Sequence, residues 1–234
     1  MAMEGVVRLL STLAVRGVVQ RLAGQFEAAT GLLIDADFAP TLALLDRLRA
    51  GEAADLVILT REGLDQLAAE ARLSAGTCVD LVRSHVGIAV KAGAVRPDIA
   101  TEAALRATLL AARSVAYSRI GASGILFAQL IDRMGIAAEL NAKAVVVPMG
   151  LTAERLVSGE AELAVQQISE LKQVAGIDVL GPIPLHLQSP AVFSAAVMAA
   201  SPRASEAGRL LRYLGSTEVG PALREAGLEP FDQA

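Results

Sequence analysis

The chain has 234 residues, with 21 basic against 25 acidic side chains and a net charge of −4; 53% of it is hydrophobic and only 3% aromatic. That supplies apolar material for one large packed domain or two small ones, while the absence of a basic run removes the electrostatic footprint of a nucleic-acid-binding surface. The longest apolar stretches, such as Ala107 to Ala112, are far too short to span a bilayer, and the scarcity of rings argues against a ligand stacked on aromatic faces.

Taken in chain order, strand and helix patterns alternate. Val6–Leu10 reads as a strand that Arg8 interrupts. No charged region, apolar run and small-residue cleavage site fit before it, so the expected compartment is periplasmic if a leader has been removed and cytoplasmic if the chain is native as written. Val15–Thr30 carries apolar residues at Val15, Val18, Val19, Leu22 and Phe26 at helical spacing, and Gly31 follows as a stop. Leu32–Phe38 alternates as a strand, Leu42–Ala50 forms a helix ending at Gly51, Asp55–Leu59 is a short buried strand, and Leu64–Ala71 is a helix. This βαβαβ opening predicts a mostly parallel sheet covered on both faces.

Val86–Val90 is the next strand, and Thr101–Ala112 a helix with Thr101 as its N-cap. Ser114–Tyr117, Val145–Val147 and Leu163–Gln166 follow as strands, with helices at Ser123–Met134 and Thr152–Ser158 between them. A strand starting at Val179 is broken by Pro182 and Pro184, Ala191–Ala199 is strand-like, and Glu206–Leu214 and Val219–Glu225 finish the chain as helices. Nothing rich in Gly, Ser or Pro separates the two α/β halves. The economical reading is two lobes joined by extended strands, with residues 1–83 and 188–234 in the first and 84–187 in the second. Cys78 has no cysteine to pair with and is expected to be a semi-buried small residue; His85 and His186 lie outside any metal-ligand spacing and are expected to be structural. No nucleotide-binding glycine motif occurs, so neither cofactor nor metal is expected.

Several segments carry a resemblance. Leu10-Ser11-Thr12-Leu13 and Phe38-Ala39-Pro40-Thr41-Leu42-Ala43 look like two strand-to-helix turns, and Leu48 to Ile58 is similar to a "GxxADV" segment. Ser158 to Val165 is similar to an "SGEAD-AGIV" segment, and Gly227-Leu228-Glu229-Pro230 resembles a "GF-x-P" tail. In this order and at these spacings the chain resembles the molybdate-binding group of type II periplasmic binding proteins. The resemblance implies an α/β fold of two Rossmann-like lobes with a cleft between them, and hydroxyl residues of the first two turns contacting the ligand. Two departures stand out. Gln167 occupies a position where the family places a Tyr, and the second-lobe turn reads Ile120-Gly121-Ala122-Ser123-Gly124 rather than Pro-Ala-Gly. The Gly-Ala-Ser-Gly and Gln-Ile-Ser-Glu pieces are similar to a side branch that includes aconitate isomerase, a binding-protein fold acting on a tricarboxylate.

Independently of that resemblance, Ser11, Thr12, Thr41, Gly121, Ala122 and Ser123 all fall where a strand's carboxyl end meets a helix start, the usual ligand edge of an open α/β sheet. Small side chains let backbone N–H groups reach an anion, and hydroxyls add donors without burying a countercharge. The same Ser and Thr residues also suit plain helix capping. Arg119 is the cation beside the second-lobe turn, suited to a carboxylate or to solvent. Gln166 and Gln167 close an apolar strand, and alternation sends one to each face. The leading expectation is therefore a monomeric solute-binding protein that captures a small anion, an oxyanion or a di- or tricarboxylate, for an ABC-type uptake system whose membrane component is its implied partner. The alternative is a cofactor-independent isomerase of a tricarboxylate. That chemistry requires a base, and Glu170, equally suited to solvent or capping, is the one carboxylate in these turns.

Overall fold

The computed structural model describes residues 5–231; residues 1–4, which bear on a leader, and residues 232–234 lie outside the described residues. The chain divides into two compact units, one up to Arg83 and again from Val192, the other Ser84–Ala191. The first unit opens with β1 (Val6–Ser11), a 3-10 turn Leu13–Val15, α1 (Arg16–Thr30), β2 (Leu33–Phe38), α2 (Thr41–Arg49), β3 (Leu56–Thr60), α3 (Arg61–Ala69) and β4 (Val79–Ser84). The second holds β5 (Val86–Lys91), α4 (Glu102–Ala111), β6 (Val115–Tyr117), α5 (Ala122–Arg133), α6 (Ala137–Ala142), β7 (Ala144–Val146), α7 (Glu154–Val157), β8 (Leu163–Gln167), α8 (Ile168–Leu171) and β9 (Ile177–Pro182). The chain then returns through β10 (Ala191–Val197), α9 (Ala204–Leu214), α10 (Gly220–Glu225) and β11 (Glu229–Pro230).

The sequence puts the return to the first unit at 188, whereas the structure puts it at Val192. Gln188 explains the difference. Its side chain accepts from the Val86 N–H at 2.9 Å and donates to the carbonyls of Val86 at 3.1 Å and Ile183 at 2.6 Å, which ties this segment to the second unit.

In the first unit the sheet order is β11-β4-β10-β3-β1-β2. β1 pairs in parallel with both β2 and β3, so the predicted βαβαβ opening is parallel. The sheet as a whole is mixed rather than mostly parallel, because β10 runs antiparallel to β3 and β11 antiparallel to β4. β4 and β11 are missing from the sequence reading, as are α6 and α8. The second unit has the order β7-β6-β8-β5-β9, with β6 parallel to β7 and β8, and β5 antiparallel to β8 and β9. The two units are thus both mixed α/β sheets with helices, as a type II periplasmic-binding-protein fold requires.

Local rules set most boundaries. Gly31 ends α1 in the left-handed conformation (φ 70°), its N–H bonded to the Glu27 carbonyl, where a side chain would be strained. Thr101 caps α4 by accepting from the Ala104 N–H at 3.1 Å. In the second unit the larger side chains of β5, β6 and β8 (Val86, Ile88, Val115, Tyr117, Leu163 and Val165) enter one core layer, while Ala89, Ala116 and Ala164 enter a separate cluster. The two-residue period of the strands divides them in this way. Cys78 is exposed, not semi-buried, and His186 is exposed too. No helix among the described residues is long and apolar enough to cross a membrane.

Arg47 ties the first unit together electrostatically. Its guanidinium meets Asp37 at 2.5 Å and Glu52 at 2.6 Å, and Arg8 reaches Glu52 at 3.3 Å and Asp35 at 3.1 Å. The Arg47 hydrogen bonds hold both Asp37 and Glu52 below the usual carboxylate range. A carboxyl depressed in the folded state contributes stability above its unfolded pKa and loses it as the pH falls through the folded value. Because these side chains are partly exposed, solvent screening keeps the contribution modest. Denaturant midpoints should therefore drop between about pH 7 and about pH 3. In a variant carrying both Asp37→Asn and Glu52→Gln the midpoint should be lower at neutral pH and the acid-side drop shallower; an unchanged pH profile would count against the network.

Candidate functional site

The parallel strands of the first unit place three strand ends side by side. Ala39 N–H donates to the Ser11 carbonyl at 3.1 Å and Thr12 N–H to the Ile58 carbonyl at 2.9 Å, so the turns after β1, β2 and β3 interlock along one edge. Ser11 is fully buried, and its hydroxyl donates to the Thr12 carbonyl at 3.3 Å. Thr12 is 4% exposed and stands at the N-cap of the turn Leu13–Val15, yet its side chain caps nothing, and its buried Oγ1 has no partner among the described residues. An unpaired buried hydroxyl carries a desolvation cost, so a group left in this state in a folded protein calls for a reason.

Thr41 opens α2 directly after Pro40, and no side chain caps that helix. Its Oγ1 accepts from the Thr60 N–H at 3.2 Å, which leaves the hydroxyl proton available. Thr60, unremarked in the sequence reading, caps α3 by accepting from the Gly63 N–H at 3.3 Å. A Cβ on Gly63 would lie 2.5 Å from Thr41 Cγ2, so the bare backbone there leaves room for the Thr41 side chain.

In the second unit the β6–α5 turn has the same character. Gly121 is the N-cap of α5, Ala122 and Ser123 are its first residues, and no side chain caps it. Ser118, another residue the sequence reading passes over, instead folds the approach by accepting from the N–H groups of Ile120 and Gly121, both at 3.3 Å. Ser123 is 4% exposed, and among the described residues its hydroxyl has no hydrogen-bond partner. Helix capping, the plain alternative for these residues, is thus not what Thr12 or Ser123 does.

Arg119 is exposed, and its Nη2 donates to Asn141 Oδ1 at 3.2 Å. Gln166 and Gln167 are both buried, with amides engaged by the protein, rather than facing solvent. Gln166 Oε1 accepts from the Thr152 N–H at 2.7 Å, and its Nε2 donates to the Gly150 carbonyl at 3.2 Å. Gln167, oriented with its amide nitrogen toward the junction of β4 and β5, donates to Ser84 Oγ at 3.0 Å and to the carbonyls of Ser84 at 3.1 Å and His85 at 3.2 Å. It also forms a capping box with Glu170 at the start of α8, where the Glu170 carboxylate accepts from the Gln167 N–H at 3.4 Å. Within each unit the candidate residues therefore share one sheet edge. Thr12, Thr41, Ser123 and Arg119 offer donors, whereas the Ser11 hydroxyl and the Gln167 side chain are occupied by internal bonds.

The family model of bacterial extracellular solute-binding proteins matches residues 7–229. The chain belongs to that family. Among its relatives, an aconitate isomerase from a Pseudomonas species is 36% identical over 228 residues, covering 95% of this chain and 87% of the relative. The fold is shared with the periplasmic molybdate-binding protein of Azotobacter vinelandii (TM-score 0.82, 17% identity, 97% of this chain and 100% of that one). It is shared also with the sulfate-binding protein of Mycobacterium tuberculosis (TM-score 0.77, 16% identity, 98% and 88% covered). At such identities the two structures speak for the fold alone. The solute-binding scaffold, with its mixed sheets and strand-end turns, is the one the sequence motifs resemble.

Gly124 is the tightest point of the second-unit turn. A Cβ there would sit 1.5 Å from the Ser118 carbonyl oxygen, a backbone atom that cannot step aside. Gly124→Ala should destabilise the protein by at least about 2 kcal/mol and displace the start of α5. Thermal denaturation checks this, with Gly24→Ala, in open space within α1, as the control that should leave the melting temperature unchanged or raise it.

Proposed function

We propose that this solute-binding protein captures a small carboxylate anion at strand-end turns, with Ser11, Thr12, Thr41, Arg119, Gly121, Ala122, Ser123 and Gln167 as the candidate ligand-binding residues. The observation that carries this reading is a buried hydroxyl, Thr12 Oγ1, without a partner among the described residues, together with the nearly buried Ser123 in the first turn of α5, whose start no side chain caps. Neutral hydroxyls and helix N-termini suit an anion because they stabilise its charge without a buried cation that must be desolvated first. Ser11 and Gln167 enter mainly through backbone and shape, since their side chains already have partners. A carboxylate is favoured over a tetrahedral oxyanion by the 36% identical relative, named for acting on aconitate, and by Arg119, whose planar guanidinium matches a carboxylate. Delivery to the membrane component of an ABC-type uptake system is the matching physiological role.

The test is calorimetric titration with molybdate, tungstate, sulfate, citrate and the cis and trans forms of aconitate. Heat with the tricarboxylates is expected, and silence with every anion would reject the reading. Ser123→Ala should weaken tricarboxylate binding by about tenfold or more, as hydrogen bonds to charged groups do. Thr12→Val should weaken it similarly while leaving the melting temperature of the free protein unchanged or raised, because the lost hydroxyl has no internal partner.

A second reading, isomerisation of a tricarboxylate, is favoured by the same relative. It needs a base, and Glu170, the carboxylate in these turns, is engaged in capping α8. An ultraviolet assay of trans-aconitate conversion decides between binding alone and turnover.

A further inference from the structure

Tyr117, at the end of β6, is 1% exposed, and its ring packs edge-on against Phe127 of α5 at 5.1 Å between centroids. Its hydroxyl donates to Asn141 Oδ1 at 2.6 Å. Arg119, two residues further on, donates to the same oxygen at 3.2 Å. A guanidinium has only donors, so Asn141 must turn its oxygen toward Arg119 and its amide nitrogen away. The buried phenol thus fixes the carboxamide, and the carboxamide holds the guanidinium of Arg119, a residue three positions before α5.

The chemistry of that holder matters. A carboxylate at position 141 would also orient Arg119, but it would neutralise the charge. A neutral oxygen orients it and leaves the positive charge available. Among the described residues no acidic side chain is paired with Arg119, in contrast to Arg47, Arg49 and Arg61, each of which meets a carboxylate.

We infer that Asn141 is the positioning residue that makes Arg119 a clamp for a second carboxylate, selecting di- and tricarboxylates over compact oxyanions. The inference rests on the carboxylate-binding reading above. One carboxylate meets the α5 N-terminus and the Ser123 hydroxyl, and the clamp takes another carboxylate of the same molecule. A tetrahedral oxyanion has one charged centre and engages one of the two. Pre-orientation matters because a free arginine side chain would have to be ordered on binding, at a cost in affinity.

The test is titration with citrate, trans-aconitate and sulfate of the wild type and of Asn141→Ala, Arg119→Ala, Tyr117→Phe and the double variant Asn141→Ala/Arg119→Ala. Arg119→Ala should lower tricarboxylate affinity by about tenfold or more. Asn141→Ala and Tyr117→Phe should each lower it by a smaller factor, and all three should shrink the preference for tricarboxylate over sulfate. Asn141→Asp should lower tricarboxylate affinity more than Asn141→Ala, by pairing with Arg119. The decisive readout is non-additivity: once Arg119 is alanine, Asn141→Ala should cost nothing further. Tricarboxylate binding in the wild type with additive losses, or with the preference unchanged in Asn141→Ala, would overturn the inference while leaving carboxylate binding intact. An absence of heat from every anion in the wild type would overturn both.

Discussion

Because β1 pairs in parallel with β2 and β3, and β6 with β7 and β8, three strands in each unit end along a common edge and turn there into helices or connecting loops. Parallel neighbours cannot be joined by a tight hairpin, so each connection must leave the sheet and return, and each helix begins with N–H groups that have no partner within it. Where a side chain satisfies those groups, as Thr60 does for α3, the helix start is closed. At α2 and α5 none does so, because Pro40 and Gly121 hold the capping positions. The binding capacity proposed for this edge follows from that omission.

The polar residues of the edge divide by what they already hold. Gln166 fixes the loop before α7, Ser118 folds the approach to α5, and Gln167 grips Ser84 and His85. These bonds make the turns rigid. Thr12 and Ser123 take part in none of these side-chain bonds. A donor held open in this way costs the free protein stability and returns it on binding, a usual exchange at a functional site.

Much of the architecture was legible in the sequence for identifiable reasons. The helix α1 declares itself by apolar spacing and its terminal glycine, and α4 by the threonine cap. The elements absent from the sequence reading owe their existence to distant partners. β11 is two residues long and is a strand only because β4 receives it, while α8 is a single turn fixed by the Gln167–Glu170 capping box. At the site, the positions of Thr12, Thr41 and Ser123 followed from strand-to-helix punctuation. Their hydrogen-bonding state did not, because it depends on atoms far along the chain. Thr60 and Ser118 carried a signal, a hydroxyl at a strand end. Asn141 carried none: it reaches Arg119 across 22 positions, through a short helix that the periodicity did not reveal.

The same donor set bears on whether the proposed ligand would only be bound or also transformed. Hydroxyls, helix N-termini and a guanidinium stabilise charge that is already present on a carboxylate, and this lowers the free energy of the bound ground state. Turnover requires in addition a group that accepts a proton, with its stabilisation greater in the transition state than in the complex. The carboxylate of Glu170 accepts from the backbone at the start of α8, and the side chain of Gln167, its partner in that capping box, is itself fastened to Ser84 and His85 between β4 and β5. Accepting that N–H occupies one lone pair of one carboxylate oxygen, so the capping role by itself neither supplies nor removes a base. Hydroxyls, helix N-termini and a guanidinium serve binding as they stand, whereas turnover would add the need for a proton acceptor, which that donor set does not itself contain.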